Sequence, residues 1–198
     1  MTLSITSDVL IPRPETELLV ELALGKIDKD TDTLVADLGT GSGAIALAIA
    51  KERLRSHIIA IDTSKAALKV AQENAQRLNI KNIEFGESEW LEDLAGNAFD
   101  LIVSNPPYVY SDDPHLAQGD VRFEPHDALV SGQDGLDAIR KITHQSPRYL
   151  KPGGFLILEH GSEQAKAVRE IFTEYGFINP NTYNDLAGLP RVCLAQIK

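Results

Sequence analysis

Thr33-Leu34-Val35-Ala36-Asp37-Leu38-Gly39-Thr40-Gly41-Ser42-Gly43-Ala44-Ile45-Ala46-Leu47-Ala48-Ile49-Ala50 is a strand, a glycine loop and a helix written without a break. Residues 33–38 are largely apolar and β-prone, the composition of a strand buried on both faces. Glycines at 39, 41 and 43 let backbone approach a ligand closely, and the small residues that follow suit a helix packed tightly on a sheet. The next apolar run, His57-Ile58-Ile59-Ala60-Ile61-Asp62, ends on an acid ~20 residues beyond the loop, where a carboxylate accepts both hydroxyls of a ribose. Loop and acid together point to an adenosine-containing cofactor. The run Gly39-x-Gly41-x-x-Ala44 also fits the relaxed dinucleotide fingerprint. Two features argue against a dinucleotide. Asp37 before the loop would repel a pyrophosphate and attract a cation such as a sulfonium or an amino group. At 198 residues the chain is also too short to add a separate substrate domain.

Outward from this unit, strands and helices alternate. Pro14 with Glu15 and Glu17 suits a helix start, and Leu18, Leu19, Leu22 and Ala23 give that helix an apolar stripe. Residues 1–30 are thus a flanking segment and helix. Thr63 or Ser64 caps a helix running to about Leu78, with Ala67, Leu68, Ala71 and Ala75 inward. Asn82 to Phe85 reads as a third strand, Glu87 to Ala95 as a loop holding Trp90, and Phe99 to Ser104 as a fourth strand. A long loop, Val109 to Gly132, leads to a helix from Leu136 to Tyr149. Pro152-Gly153-Gly154 reads as a turn, Phe155 to Glu159 as a fifth strand, and Glu163 to Tyr175 as a helix. Ile178 to Tyr183 and Arg191 to Ile197 have no helix between them and should pair antiparallel. The pattern predicts an α/β fold: a doubly wound, mostly parallel seven-stranded sheet with a terminal antiparallel strand, in one domain over residues 1–198.

The fourth strand stops at Asn105-Pro106-Pro107-Tyr108. Adjacent prolines carry no N–H and fix φ, so neither strand nor helix continues. Ligands bind at the carboxyl ends of strands in open α/β sheets, so this rigid corner is expected to receive a substrate.

A formal net charge of −10 disfavours salt-sensitive binding to nucleic acid phosphates. The single cysteine, Cys193, lies in an apolar run and reads as a small core residue, fitting a reducing compartment. The first residues lack the basic and apolar regions of a signal peptide, and no apolar run approaches the ~20 residues of a membrane span. A cytoplasmic protein with no membrane partner is expected. One cysteine and five scattered histidines make no metal site, and His126 and His160 read as ordinary packed or exposed residues.

Asp37-Leu38-Gly39-Thr40-Gly41-Ser42-Gly43, Asp62 and Asn105-Pro106-Pro107-Tyr108 together resemble a class I S-adenosylmethionine-dependent methyltransferase, a Rossmann-like fold. The Asn-Pro-Pro-Tyr tetrad is similar to that of the branch methylating planar amide or amine nitrogens. Ile11-Pro12-Arg13-Pro14-Glu15-Thr16-Glu17, Arg122-Phe123-Glu124-Pro125 and Glu159-His160-Gly161 narrow the resemblance to the peptide chain release factor glutamine methyltransferases, the HemK/PrmC family. That family carries a helical N-terminal domain that helps grip the protein substrate, whereas this chain opens just before the Ile11 segment.

The resemblance implies S-adenosylmethionine as cofactor. Gly39, Thr40, Gly41, Ser42 and Gly43 would hold its methionine part, Asp62 its ribose and Trp90 its adenine end, with Asp37 and Asn105 also contacting the cofactor. It implies Asn105, Pro106 and Tyr108 as catalytic residues, and Asn105 to Tyr108, Pro107 included, as the substrate site. The Asn105 side-chain oxygen and Pro106 carbonyl would each take one N–H of a glutamine amide, and Tyr108 would stack on it. Arg13 has two readings, a counter-ion for the methionine carboxylate or a pair with a nearby Glu. Release factors are the expected partners, with no direct nucleic acid contact. The corner alone would also serve an adenine amine on nucleic acid. A third reading is a module that binds the cofactor without catalysis.

Overall fold

Alternating strands and helices wind into one sheet in the computed structural model, which describes residues 1–94, 96, 98–117, 119, 122 and 124–198. The strands are β1 (Thr33–Leu38), β2 (Ser56–Asp62), β3 (Ile83–Glu87), β4 (Phe99–Ser104), β5 (Leu150–Glu159), β6 (Phe177–Asn184) and β7 (Pro190–Ile197). The helices are α1 (Thr16–Leu24), α2 (Ala44–Glu52), α3 (Lys65–Leu78), α4 (Asp137–Gln145) and α5 (Ala165–Glu174). Strand order is β3-β2-β1-β4-β5-β7-β6. All pairings are parallel except those of β7, which runs antiparallel to β5 and β6. The antiparallel strand is therefore last in sequence but sits inside the sheet, one place from its edge.

Alternation along the central strands divides the core between two faces. Val35, Ile58, Leu101, Val103 and Ile157 meet α1 and α2 through Leu19, Ala23 and Ile45. Ala36, Leu38, Ile102, Leu156 and Leu158 meet α4 and α5 through Ile139, Ile142, Val168 and Phe172. Burial on both faces is why these strands read as continuous apolar runs rather than alternating ones.

Two boundaries differ from the sequence expectation by more than two residues. The helix predicted to reach Tyr149 ends at Gln145 and passes into a 3-10 turn over Ser146–Arg148. Pro147 is the cause, since it has no N–H to continue the ladder. Pro152-Gly153-Gly154 is a bulge inside β5, not a turn before it. Leu150 pairs with Phe99 and Phe155 with Leu101, so the intervening residues bow out of the ladder. A bulge is where a sheet tolerates Pro and Gly. Of the two cap candidates the sequence offered for α3, the cap is Ser64, its Oγ accepting from Ala67 N–H at 3.2 Å. Ala95 of the predicted Trp90 loop and Phe123 of the Arg122–Pro125 segment lie outside the described residues. No described helix is long and apolar enough to cross a membrane.

Candidate active site

The winding direction of the sheet reverses between β1 and β4, which lie side by side with Asp37 opposite Val103 and Leu38 opposite Ser104. Connections leaving adjacent strands there diverge and open a crevice at their carboxyl ends. The glycine loop leaves β1 and the Asn105 corner leaves β4, so topology sets the two predicted features face to face across a cleft of about 400 Å³. That size falls in the range of small-molecule sites.

The floor is the loop from Gly39 to Gly43. Thr40 N–H donates to Ile61 O at 2.9 Å, and Gly43 N–H to Thr40 O at 2.8 Å. Gly41 has φ +55, and a Cβ there would meet no atom of a described residue within 4 Å. Its backbone is bare toward the cleft, and both its angle and its exposure ask for glycine. Asp62 closes the end of β2, Oδ2 accepting from Gly41 N–H and Oδ1 from Ser64 N–H, each at 2.9 Å. Each oxygen keeps a second acceptor direction. Trp90 lines the cleft with φ +56, its ring 3.5 Å from where a Gly39 Cβ would lie.

Gly39, Thr40, Gly41 and Ser42 line the cleft; Gly43 does not, and neither does Asp37. Asp37 is fully buried. Its Oδ2 accepts from Thr40 Oγ1 at 2.7 Å and Ala46 N–H at 3.2 Å, tying loop to α2, while Oδ1 has no partner among the described residues. Burial pushes this carboxyl up to about 7, against the pull of its two donors. The sign follows from linkage. The unfolded carboxyl titrates near ~3.9, so above that pH the folded chain keeps a proton the unfolded chain has released. The resulting stabilisation is complete below about pH 4 and is lost as pH rises through about 7. Asp37→Asn keeps the acceptor for Thr40 and Ala46 and stays neutral. Thermal melts without cofactor are expected to show this variant gaining on the parent protein as pH rises from about 4 to 8. A difference that stays constant with pH would rule out a buried titration at Asp37.

At the corner, Asn105 and Pro107 line the cleft, whereas Pro106 is buried. The Tyr108 ring packs against the α4–α5 core. Its hydroxyl donates to Glu159 Oε1 at 3.2 Å. Burial, with Glu159 beside it, pushes the Tyr108 phenol far above its ordinary range. Asn105 Nδ2 donates to Thr16 Oγ1 at 3.1 Å, and Thr16 Oγ1 donates to Glu159 Oε2 at 2.8 Å. Asn105 Oδ1 accepts no hydrogen bond from a described residue.

The roof is one part the sequence did not announce. Asp8, Val9, Leu10 and Pro12 line the cleft. Val9 packs on Ala67 and Val70 of α3. Asn74, fully buried, holds this segment from both sides: Oδ1 accepts from Ser4 N–H at 2.8 Å and Nδ2 donates to Ser4 O at 3.0 Å. The same Nδ2 donates to Ser42 O at 2.9 Å, so roof and glycine loop share one anchor. Arg13 Nη2 donates to both Glu124 carboxylate oxygens, each at 2.8 Å, which selects the second of its two readings. Glu124 belongs to the long loop whose Pro125, Asp127 and Ala128 complete the wall.

A methyltransferase-domain family model matches residues 29–192. The release factor glutamine methyltransferase of Xylella fastidiosa is 51% identical over 192 residues, covering 97% of this chain and 70% of its own. The chain belongs to the release factor glutamine methyltransferase family. A solved protein-(glutamine-N5) methyltransferase, release factor-specific, from Alicyclobacillus acidocaldarius superposes with TM-score 0.61 at 30% identity, covering 98% of this chain and 99% of that one. A 16S ribosomal RNA methyltransferase from T. thermophilus, solved with AdoMet and guanosine, shares the fold at TM-score 0.71 and 21% identity, covering 95% of this chain and 44% of that one. The sheet is thus common ground for nucleic acid and protein enzymes, and the substrate must be argued from the corner.

Proposed function

We propose that the protein transfers the methyl group of S-adenosylmethionine to the side-chain amide nitrogen of a glutamine in a peptide chain release factor. The observation that carries this reading is the Asn105 amide, clamped at Nδ2 and open at Oδ1, at the strand end facing the glycine loop. The cleft fits the cofactor: bare backbone at Gly41, a ribose acceptor at Asp62 and an aromatic wall at Trp90. Gly39, Thr40, Gly41, Ser42 and Gly43 would hold the methionine part, with Asp37 bracing them from beneath. Bound there, S-adenosylmethionine supplies an electrophilic methyl carbon on a sulfonium.

An amide nitrogen is a poor nucleophile because its lone pair is delocalised into the carbonyl. The chain's task is therefore to hold both N–H bonds and aim the nitrogen. Asn105 Oδ1 and the Pro106 carbonyl supply two acceptors in a frame that the prolines keep rigid. Pro107 shapes the mouth, and the Tyr108 ring, packed against the core, backs the corner from behind. No strong base is needed, since the nitrogen's proton becomes acidic once the methyl is attached and leaves afterwards. In the same reading the chain acts as one domain in the cytoplasm, and its net charge of −10 favours a protein partner over nucleic acid.

The test is incubation with methyl-labelled S-adenosylmethionine and either a release factor or nucleic acid. Label on a release-factor glutamine, located by peptide mass spectrometry, is expected. Label on nucleic acid alone would transfer the reading to an adenine amine. Label on neither, despite tight cofactor binding, would leave a cofactor-binding module.

A further inference from the structure

Glu159 ends β5 fully buried, and two hydroxyls converge on it, Thr16 Oγ1 on Oε2 and Tyr108 on Oε1. A carboxylate only accepts hydrogen bonds. The one hydroxyl proton of Thr16 is therefore committed to Glu159, and Thr16 Oγ1 can only accept from its other neighbour. That neighbour is the Asn105 amide, so the end in contact with Thr16 must be Nδ2. An amide is otherwise nearly symmetric in shape, and nothing but its hydrogen-bond partners fixes which end points where.

We propose that Thr16 and Glu159 are positioning residues that set the sense of the Asn105 amide, turning Oδ1 toward the methyl-accepting nitrogen. This rests on the function proposed above. Were Asn105 reversed, its NH2 would meet the N–H bonds of the substrate amide, two donors facing one another. The direction of the whole chain, Asn105 to Thr16 to Glu159, is thus imposed from its buried, acceptor-only end.

The surroundings of Glu159 agree. Burial raises its carboxyl, and the Thr16 and Tyr108 hydroxyls and the charge of Arg191 on β7 oppose that rise, with Glu15 ahead of α1 adding to it. A proton taken up at low pH would let Glu159 donate to Thr16, freeing the chain to run backwards. An acid-side fall in kcat, with cofactor binding unchanged, is the expected companion.

Thr16→Val keeps the side-chain shape and removes the hydroxyl; Thr16→Ser restores it. With a release factor as substrate, Thr16→Val is expected to lower kcat about a hundredfold with S-adenosylmethionine Kd within about threefold, and Thr16→Ser to stay near the parent rate. A second readout needs no substrate. In the parent protein, NMR should find one Asn105 Nδ2 proton shifted from its ordinary amide position by its bond to Thr16, and that shift should be lost in Thr16→Val. An unchanged kcat in Thr16→Val, or a parent spectrum without the shifted Nδ2 proton, overturns the proposal. A parent protein that methylates no glutamine overturns the function instead, and the spectrum still decides the orientation.

Discussion

Asn105→Ala is expected to lower methyl transfer to a release factor by at least about a hundredfold, while S-adenosylmethionine affinity stays within about tenfold, a shift of ~1.4 kcal/mol. The separation of the two effects follows from where Asn105 stands. It is on the β4 side of the cleft, and the loop, Asp62 and Trp90 that fit the cofactor lie on the β1 and β2 side and do not depend on it. Truncation removes the acceptor that would orient one N–H of the incoming amide, so the loss should fall in kcat more than in cofactor binding. Asn105→Asp sharpens the test. It keeps an oxygen toward the substrate but gives Thr16 a second carboxylate in place of a donor, and Thr16 has one proton to share between them. That variant should be nearly as impaired as the alanine one. Single-turnover transfer and calorimetric cofactor binding on all three proteins decide the matter, and full activity in Asn105→Ala would remove the acceptor role.

What the sequence made legible was set by local chemistry. β1 and β4 lie where their apolar runs placed them, Thr33–Leu38 and Phe99–Ser104, because a strand buried on both faces has no other way to be written. The corner was legible because Pro106 and Pro107 forbid any regular continuation. The parts that were not legible depend on partners far away in the chain. Thr16 and Glu159 are 143 residues apart, and nothing in either neighbourhood names the other. The available cue was that Glu159, like Asp62, is an acid ending an otherwise apolar strand. The roof segment carried no periodic pattern, and its anchor, Asn74, reads as one more polar residue on a helix until Ser4 and Ser42 are seen around it. Arg13 could be read two ways because its partner, Glu124, is 111 residues on.

Gly135→Ala should cost both stability and transfer, although residue 135 does not line the cleft. Gly135 has φ +74, and a Cβ there would fall inside contact distance of the Tyr108 carbonyl oxygen and 2.7 Å from Gln164 Nε2. Those two atoms are bonded to each other: Gln164 Nε2 donates to Tyr108 O at 3.0 Å and to Asp134 O at 3.1 Å. The glycine therefore lets three segments close on the backbone of the corner. Left-handed backbone costs a residue with a Cβ roughly 1–2 kcal/mol, and forcing atoms into a packed site adds about 1–3 kcal/mol. At ~2–4 °C per kcal/mol for a chain of this size, Tm should fall by roughly 10 °C. Relief must come from moving Tyr108, and a displacement of ~1 Å at a reacting group is enough for about a hundredfold loss of rate. Gly188→Ala isolates the two causes. Gly188 has φ +81 in the β6–β7 turn, and a Cβ there would meet nothing within 4 Å, so it should show the backbone strain alone and keep full transfer. Equal melting temperatures and equal rates for the two variants would mean that Gly135 matters only for its φ, and that the corner is held by Asn105, Thr16 and Glu159 without help from behind.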